Sequence, residues 1–201
     1  MSKVNLTIVY YSSTGTNYQL AKWAEEGAIS AGANVRVVRA AELAPAEAIA
    51  ANPLWKAHVD ATKDIPVATA EDIEWADAVL FSVPTRFGNM AAQMKQFIDT
   101  LGGLWASGNT INKVVSGMTS AQNAHGGQEA TILSLYTSML HWGAIIAAPG
   151  YTDEAVIKVG GNPYGLSVTV GSEGIVEDAE DVANAAKHQV KRMISIAAKL
   201  K

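Results

Sequence analysis

Cysteine is absent from this 201-residue chain. That excludes disulfides, thiolate nucleophiles and thiolate-ligated metal or iron–sulfur centres. A surplus of either charge is also missing: 15 Lys and Arg stand against 19 Asp and Glu, a net charge of -4. So mild an acidity argues against a nucleic-acid surface. It is also weaker than the strongly acidic surface expected of a dedicated electron carrier. No apolar run reaches membrane-spanning length, and the N-terminus goes straight into a strand, with no signal peptide. The expectation is a soluble, cytoplasmic protein without membrane insertion. Internal repeats, low-complexity tracts and linkers are missing too, and the length suits a single domain over residues 1–201. Apolar residues are plentiful at 49%, ample for a large core.

One turn organises the rest: Ser12-Ser13-Thr14-Gly15-Thr16-Asn17. It follows a β-branched and aromatic run, Leu6 to Tyr11, and precedes a helical stretch from about Asn17 to Ala31. The turn therefore joins a first strand to a first helix. The opening N–H groups of a helix lack intrahelical partners and its dipole is positive there, so this is a natural anion cradle. The turn has no Lys, which excludes the nucleoside-triphosphatase loop. It has a single Gly, which excludes the dinucleotide-binding turn. A neutral, hydroxyl-rich cradle suits one terminal phosphate, as on FMN. On the turn alone, simple capping of the helix explains the same residues about as well.

Further strands read at Val35–Val38, Ala78–Val83, Val114–Met118 and Ala144–Ala148, alternating with helices. The stretch from about Ala40 to Ala70 holds Pro45, Pro53, Pro66 and the solitary Trp55, and reads as irregular. A long Gly-rich loop is expected from Pro149 to Gly174, and a last helix from roughly Glu177 to Leu200. Five strands alternating with helices make an open, doubly wound α/β sheet with helices on both faces. Ligands of such sheets bind beyond the carboxyl ends of the strands. Three loops of unusual composition fall there: Ser12–Asn17, Pro84–Asn89 and Thr119–Gly127. Their convergence on one ligand is the economical explanation.

In the second loop, Phe87 could cover a flavin face or edge, Gly88 admits close backbone contact and Asn89 begins a helix. Arg86 is a cation at the mouth of the crevice, able to stabilise charge on a reduced ring or to bind an anionic nicotinamide cofactor. In the third loop, Ser120-Ala121-Gln122-Asn123 offers donors suited to isoalloxazine carbonyls and nitrogens. His125 reads as a solvated loop residue and His141 as a helix-end cap. Paired carboxylates, a Ser-His-Asp order and metal-ligand spacing do not stand out.

Five blocks together resemble the WrbA flavoproteins: Tyr10-Tyr11-Ser12, Pro84 to Met90, Gly102 to Gly108, Gly126-Gly127-Gln128-Glu129 and Gly161-Asn162-Pro163-Tyr164-Gly165. These are flavodoxin-like NAD(P)H:quinone oxidoreductases. The resemblance spans the chain in order. It implies a five-stranded parallel sheet of order 2-1-3-4-5, FMN as cofactor, and two-electron reduction of quinones. Nicotinamide and quinone would bind alternately over the flavin. It also implies a homotetramer whose active sites are completed by neighbouring subunits. By the same resemblance the phosphate loop falls on Ser12 to Asn17. Ring contacts fall on Thr85, Arg86 and Phe87 and on the Ser120–Gly127 loop, with Ser120, Ala121, Gln122, Asn123, Gly126 and Gly127; Pro84, Gly88 and Asn89 join them as expected cofactor-binding residues. His141 matches a flavin-site histidine, and Trp105 a tryptophan walling the quinone site. Arg86, His141 and Trp105 are thereby the expected catalytic residues. Two departures stand out: Thr14 replaces a usual tyrosine, and the 120–127 loop is altered and one residue longer. The competing readings are a flavodoxin-type one-electron carrier and a non-enzymatic partner-binding protein.

Overall fold

The computed structural model describes residues 3–171 and 176–201. The first apolar run forms β1 (Asn5–Tyr10), which feeds α1 (Thr16–Ser30) and then β2 (Asn34–Arg39), parallel to β1. Three short helices follow: α2 (Ala46–Ala50), α3 (Pro53–Ala61) and α4 (Ala70–Trp75). The stretch expected to be irregular is therefore partly helical. Pro53 stands at the first helical position of α3, where its missing N–H costs nothing. Asn52 caps that helix by accepting from Leu54 N and Trp55 N, and a Thr69–Asp72 capping box starts α4.

Strand β3 (Ala78–Arg86) runs into β4 (Asn89–Met90), which turns back antiparallel on it. Asn89 thus belongs to a hairpin, and the next helix, α5 (Ala92–Asp99), begins three residues later than expected. Helix α6 (Gly102–Ala106) precedes β5 (Val114–Ala121), α7 (Gln128–His141) and β6 (Ile145–Ile146). The chain then forms α8 (Glu154–Lys158), β7 (Ser167–Thr169) and α9 (Ala179–Leu200). The end of the expected Pro149–Gly174 loop, from Ser172, lies outside the described residues.

The sheet order is β2-β1-β3-β5-β6, the expected 2-1-3-4-5 arrangement. The described residues hold seven strands rather than five, because β4 adds to β3 and β7 adds to β5. The fifth position is divided: β6 pairs with Val114 and Val115, and β7 with Thr119–Ala121. Such a three-residue strand inside a Gly-rich loop carries no periodic signal.

Side chains alternate across the sheet, as the two-residue period of a strand requires. Leu6, Ile8, Tyr10, Ala78 and Leu80 pack against α1 and α9. Val9, Val79, Phe81 and Val83 pack with α5 and α7 on the other face. Burial on both faces is what a parallel sheet demands.

The Gly161–Gly165 block closes the sheet over β5. Tyr136 Oη donates to Tyr164 O at 2.5 Å and accepts from Gly117 N at 3.2 Å. Gln189 accepts from Leu166 N and donates to Ser116 Oγ and Gly117 O. A Cβ on Gly165 would lie 2.1 Å from Gly117 O, so only glycine lets the two backbones meet.

Candidate active site

Strands β1, β3 and β5 are neighbours, so the loops leaving their carboxyl ends share one edge of the sheet. The chain leaves β1 toward β2 on one side, while β3 and β5 lie on the other. The edge above β1 and β3 is the crevice where such sheets take ligands. A groove of about 480 Å3 opens there.

The turn after β1 supplies Ser12, Ser13, Thr14, Thr16 and Asn17 to the groove lining. Gly15, at φ +103°, starts α1, and no side chain caps the helix. Of the turn's hydroxyls only Ser12 Oγ takes a backbone N–H, so helix capping does not account for Ser13, Thr14 and Thr16. Ser12 Oγ accepts from Gly15 N at 3.0 Å, inside the turn. Asn17 faces the third loop, its Nδ2 donating to Ser120 Oγ at 2.7 Å, while Ser82 Oγ donates to Asn17 O at 2.9 Å. The first-turn N–H groups of α1 stay available beside hydroxyls and a helix dipole, a donor set that fits one terminal phosphate.

Pro84, Thr85, Arg86, Ser120, Ala121 and Gln122 line the same groove. Arg86 is held at its mouth: NH1 donates to Thr85 O at 3.0 Å and NH2 to Ser13 Oγ at 3.1 Å. Two loops lock behind it. Thr131 Oγ1 and Thr85 Oγ1 are 2.6 Å apart, and Thr85 Oγ1 donates to Gly126 O at 3.3 Å. A Cβ on Gly127 would sit 2.7 Å from Gly88 Cα, so these glycines bring the two loops into contact. Asn89 accepts from Met90 N and Ser134 Oγ, bracing the hairpin against α7. Asn123 O accepts from Gly126 N and Gln128 Nε2, which closes the third loop on itself.

Part of the groove was not anticipated as site. Asn52, Leu54 and Trp55 form one wall, and Val170 and Gly171 another edge. The only hint in the sequence was a solitary tryptophan in a long connection. Trp55 is held by Glu42, whose carboxylate also accepts from Tyr11 Oη, Gln93 Nε2, Leu43 N and Ala44 N. Burial works to raise this carboxyl, but the hydrogen bonds from Ala44, Gln93, Leu43 and Tyr11 outweigh it and hold it below its usual value. Tyr11 is pushed up to about 12, first by burial; its Ser13 hydrogen bond opposes this and Glu42 adds to it. On the outer side of the turn, His58 Nδ1 stands 3.7 Å from where a Gly15 Cβ would be, and burial lowers its pKa.

Of the expected residues, Gly15, Gly88, Asn89, Asn123, Gly126 and Gly127 shape the loops without lining the groove, and Phe87, Trp105 and His141 stand away from it. Phe87 sits at the hairpin tip, fully exposed, with φ +53°. Trp105 and His141 are exposed and adjoin each other, Trp105 Nε1 donating to His141 O at 2.8 Å. They lie at the far end of α7 from the groove. A helix of 14 residues separates the two ends by about 20 Å.

Residues 6–152 match the family described as NADPH-dependent FMN reductase. The NAD(P)H dehydrogenase (quinone) of Deinococcus radiodurans is 52% identical over 197 residues, 98% of this chain and 97% of that one. The protein of the same description from Caulobacter vibrioides is 40% identical over 204 residues, 100% and 99% of the two chains. Among solved structures, a flavodoxin, WrbA-like protein from Agrobacterium tumefaciens superposes with a TM-score of 0.68. It is 21% identical, with 99% and 100% of the chains covered. An archaeal flavodoxin gives a TM-score of 0.56 at 16% identity, covering 98% of each chain.

Proposed function

The chain belongs to the NADPH-dependent FMN reductase family, and on that premise we propose how its residues carry out FMN-dependent NAD(P)H:quinone oxidoreduction. The protein binds FMN and reduces quinones to hydroquinones at the expense of NAD(P)H. The observation that carries the site assignment is the uncapped start of α1, opening onto the groove that all three strand-end loops line.

Ser12 to Asn17 hold the phosphate through hydroxyls and backbone N–H groups. Thr85 and Arg86 on one side and Ser120, Ala121 and Gln122 on the other hold the ring. FMN, when bound, supplies the hydride-accepting and hydride-donating chemistry. Arg86, fixed by Thr85 O and Ser13 Oγ, places a permanent cation at the mouth, where it stabilises negative charge at the reacting end. Nicotinamide and quinone use the same open face in turn.

We read the whole of residues 1–201 as one flavodoxin-like domain; a single sheet with an apolar core on each face supports this. We infer a cytoplasmic homotetramer in which Phe87, Trp105 and His141 complete a neighbour's site. Their exposure and the length of α7 support that reading. The nicotinamide substrate and the lack of cysteine suit the cytoplasm. No helix among the described residues is long and apolar enough to cross a membrane.

Absorption spectra of the purified protein with FMN test the function. NAD(P)H should bleach the flavin and benzoquinone should restore it. FAD should bind far more weakly than FMN, and equal affinity would sink the phosphate assignment. Arg86→Ala should lower turnover more than FMN affinity; a variant fully active once saturated with FMN would remove Arg86 from its role.

A further inference from the structure

We propose that Glu42 is the positioning residue of the FMN groove: its carboxylate fixes Trp55 as the groove wall and ties that wall to the phosphate turn and Arg86. This rests on the reading of the groove as the FMN site.

Glu42 follows β2 in a loop, yet four segments meet on it. Oε1 accepts from Leu43 N at 2.8 Å, Ala44 N at 3.0 Å and Gln93 Nε2 at 2.8 Å. Oε2 accepts from Tyr11 Oη at 3.0 Å and Trp55 Nε1 at 3.1 Å. Five donors on two oxygens saturate the roughly four lone-pair sites of an ionised carboxylate, with some sharing, and a neutral acid or amide accepts fewer. Gln93 Nε2 also donates to Tyr11 Oη at 2.9 Å, which closes the cluster.

No residue of α3 is fully buried, and besides Glu42 its tie to the body is the half-buried His58 against Tyr18, which does not hold the Trp55 ring. The polar chain continues inward from Glu42. Tyr11 Oη is 3.4 Å from Ser13 Oγ, and Ser13 Oγ accepts from Arg86 NH2 at 3.1 Å. One carboxylate therefore sets the relative places of the aromatic wall, the turn and the cation at the mouth.

Replacing Glu42 by Gln changes this selectively. The amide oxygen takes the Oε1 position, where two backbone N–H groups cannot turn away. The NH2 then faces Trp55 Nε1–H, and indole nitrogen only donates. Tyr11 can rotate to accept, but Trp55 cannot, so the wall is the part that detaches.

The test is a double-mutant cycle of E42Q and W55F, with FMN Kd read from the quenching of flavin fluorescence and folding checked by circular dichroism. Each single variant should raise Kd about tenfold, the scale of losing a hydrogen bond to a charged group. The double variant should be little worse than either single one, because both remove the same latch. The Trp55 emission, taken as the difference between chains with Trp and Phe at 55, should shift to longer wavelength in E42Q without FMN. A Kd for E42Q within twofold of wild type, or full additivity, overturns the proposal. If E42Q does not fold, W55F decides: it keeps an aromatic ring and loses only the latch, and an unchanged Kd overturns the proposal. Wild-type protein that binds no FMN defeats the reading of the groove, whereas tight wild-type binding with unaffected variants defeats the role of Glu42 alone.

Discussion

Phe87 occupies a backbone conformation that phenylalanine rarely adopts. Both hairpin-tip residues, Phe87 and Gly88, have positive φ, as a two-residue I′ turn requires. Asn or Gly is usual at the first of these positions, and a bulky residue there is destabilising by about 1 kcal/mol or more. Its side chain buries nothing in its own subunit to offset that. Phe87→Asn should therefore leave the subunit folded, stabilise the hairpin by about 1 kcal/mol in denaturant titrations, and lower quinone turnover. Unchanged turnover would make the strained Phe incidental. His58 makes a second residue-scale case. Burial lowers its pKa, so the unfolded chain binds its proton first as pH falls. The stability it contributes is present above the unfolded value near 6.5 and is lost as pH drops toward the lower folded value. The FMN-free protein should lose stability as pH falls below about 6.5, and His58→Phe, which keeps a ring against Tyr18, should flatten that slope. An identical slope in the variant would assign the effect to other groups.

At the scale of elements, β7 depends on one close approach. A Cβ at Gly165 would strike the carbonyl oxygen of Gly117, a backbone atom that cannot move aside. Gly165→Ala should cost about 3 kcal/mol, seen as a fall in Tm on the order of 10 °C. It should also weaken FMN binding, because Val170 and Gly171 at the groove's edge follow β7 directly. A variant as stable as wild type would mean that the two backbones separate easily. The same element shows what the sequence could and could not convey. The order of the main strands and the strand–turn–helix start of the chain were legible, since an apolar run closed by a hydroxyl-rich turn is a local signal. The block around Gly165 was legible only as a family mark, because its purpose is contact with Gly117, 48 positions away by residue number. Helix α3 was missed because Pro53 signals a helix start only when Asn52 is seen to cap it. The role of Glu42 was invisible for a related reason: its donors Tyr11, Trp55 and Gln93 come from three separate segments.

At the scale of the whole molecule, several large apolar side chains near α7 are exposed among the described residues. Phe87 stands beyond the start of α7, Leu133 and Leu140 are exposed along it, and Trp105 is bonded to its end. Large exposed apolar side chains spaced along one side of a subunit suit an interaction surface. A closed homo-oligomer is its simplest occupant, and dihedral tetramers are common among these. The groove and the Trp105–His141 pair lie at opposite ends of α7, so one subunit cannot bring Trp105 to its own Arg86 without refolding. If both residues serve the same reaction, they must come from different subunits. That yields a test which assembly alone does not provide. Arg86→Ala and Trp105→Ala subunits should each be poorly active and still bind FMN. Co-expressed in one cell, they should form mixed assemblies in which some sites combine an intact Arg86 with a neighbour's intact Trp105. Quinone reduction should then exceed that of either variant alone, and sedimentation at micromolar concentration should give about four times the chain mass. Mixed assemblies no more active than the average of the two variants would place Trp105 outside the neighbour's site, even if the tetramer itself were found.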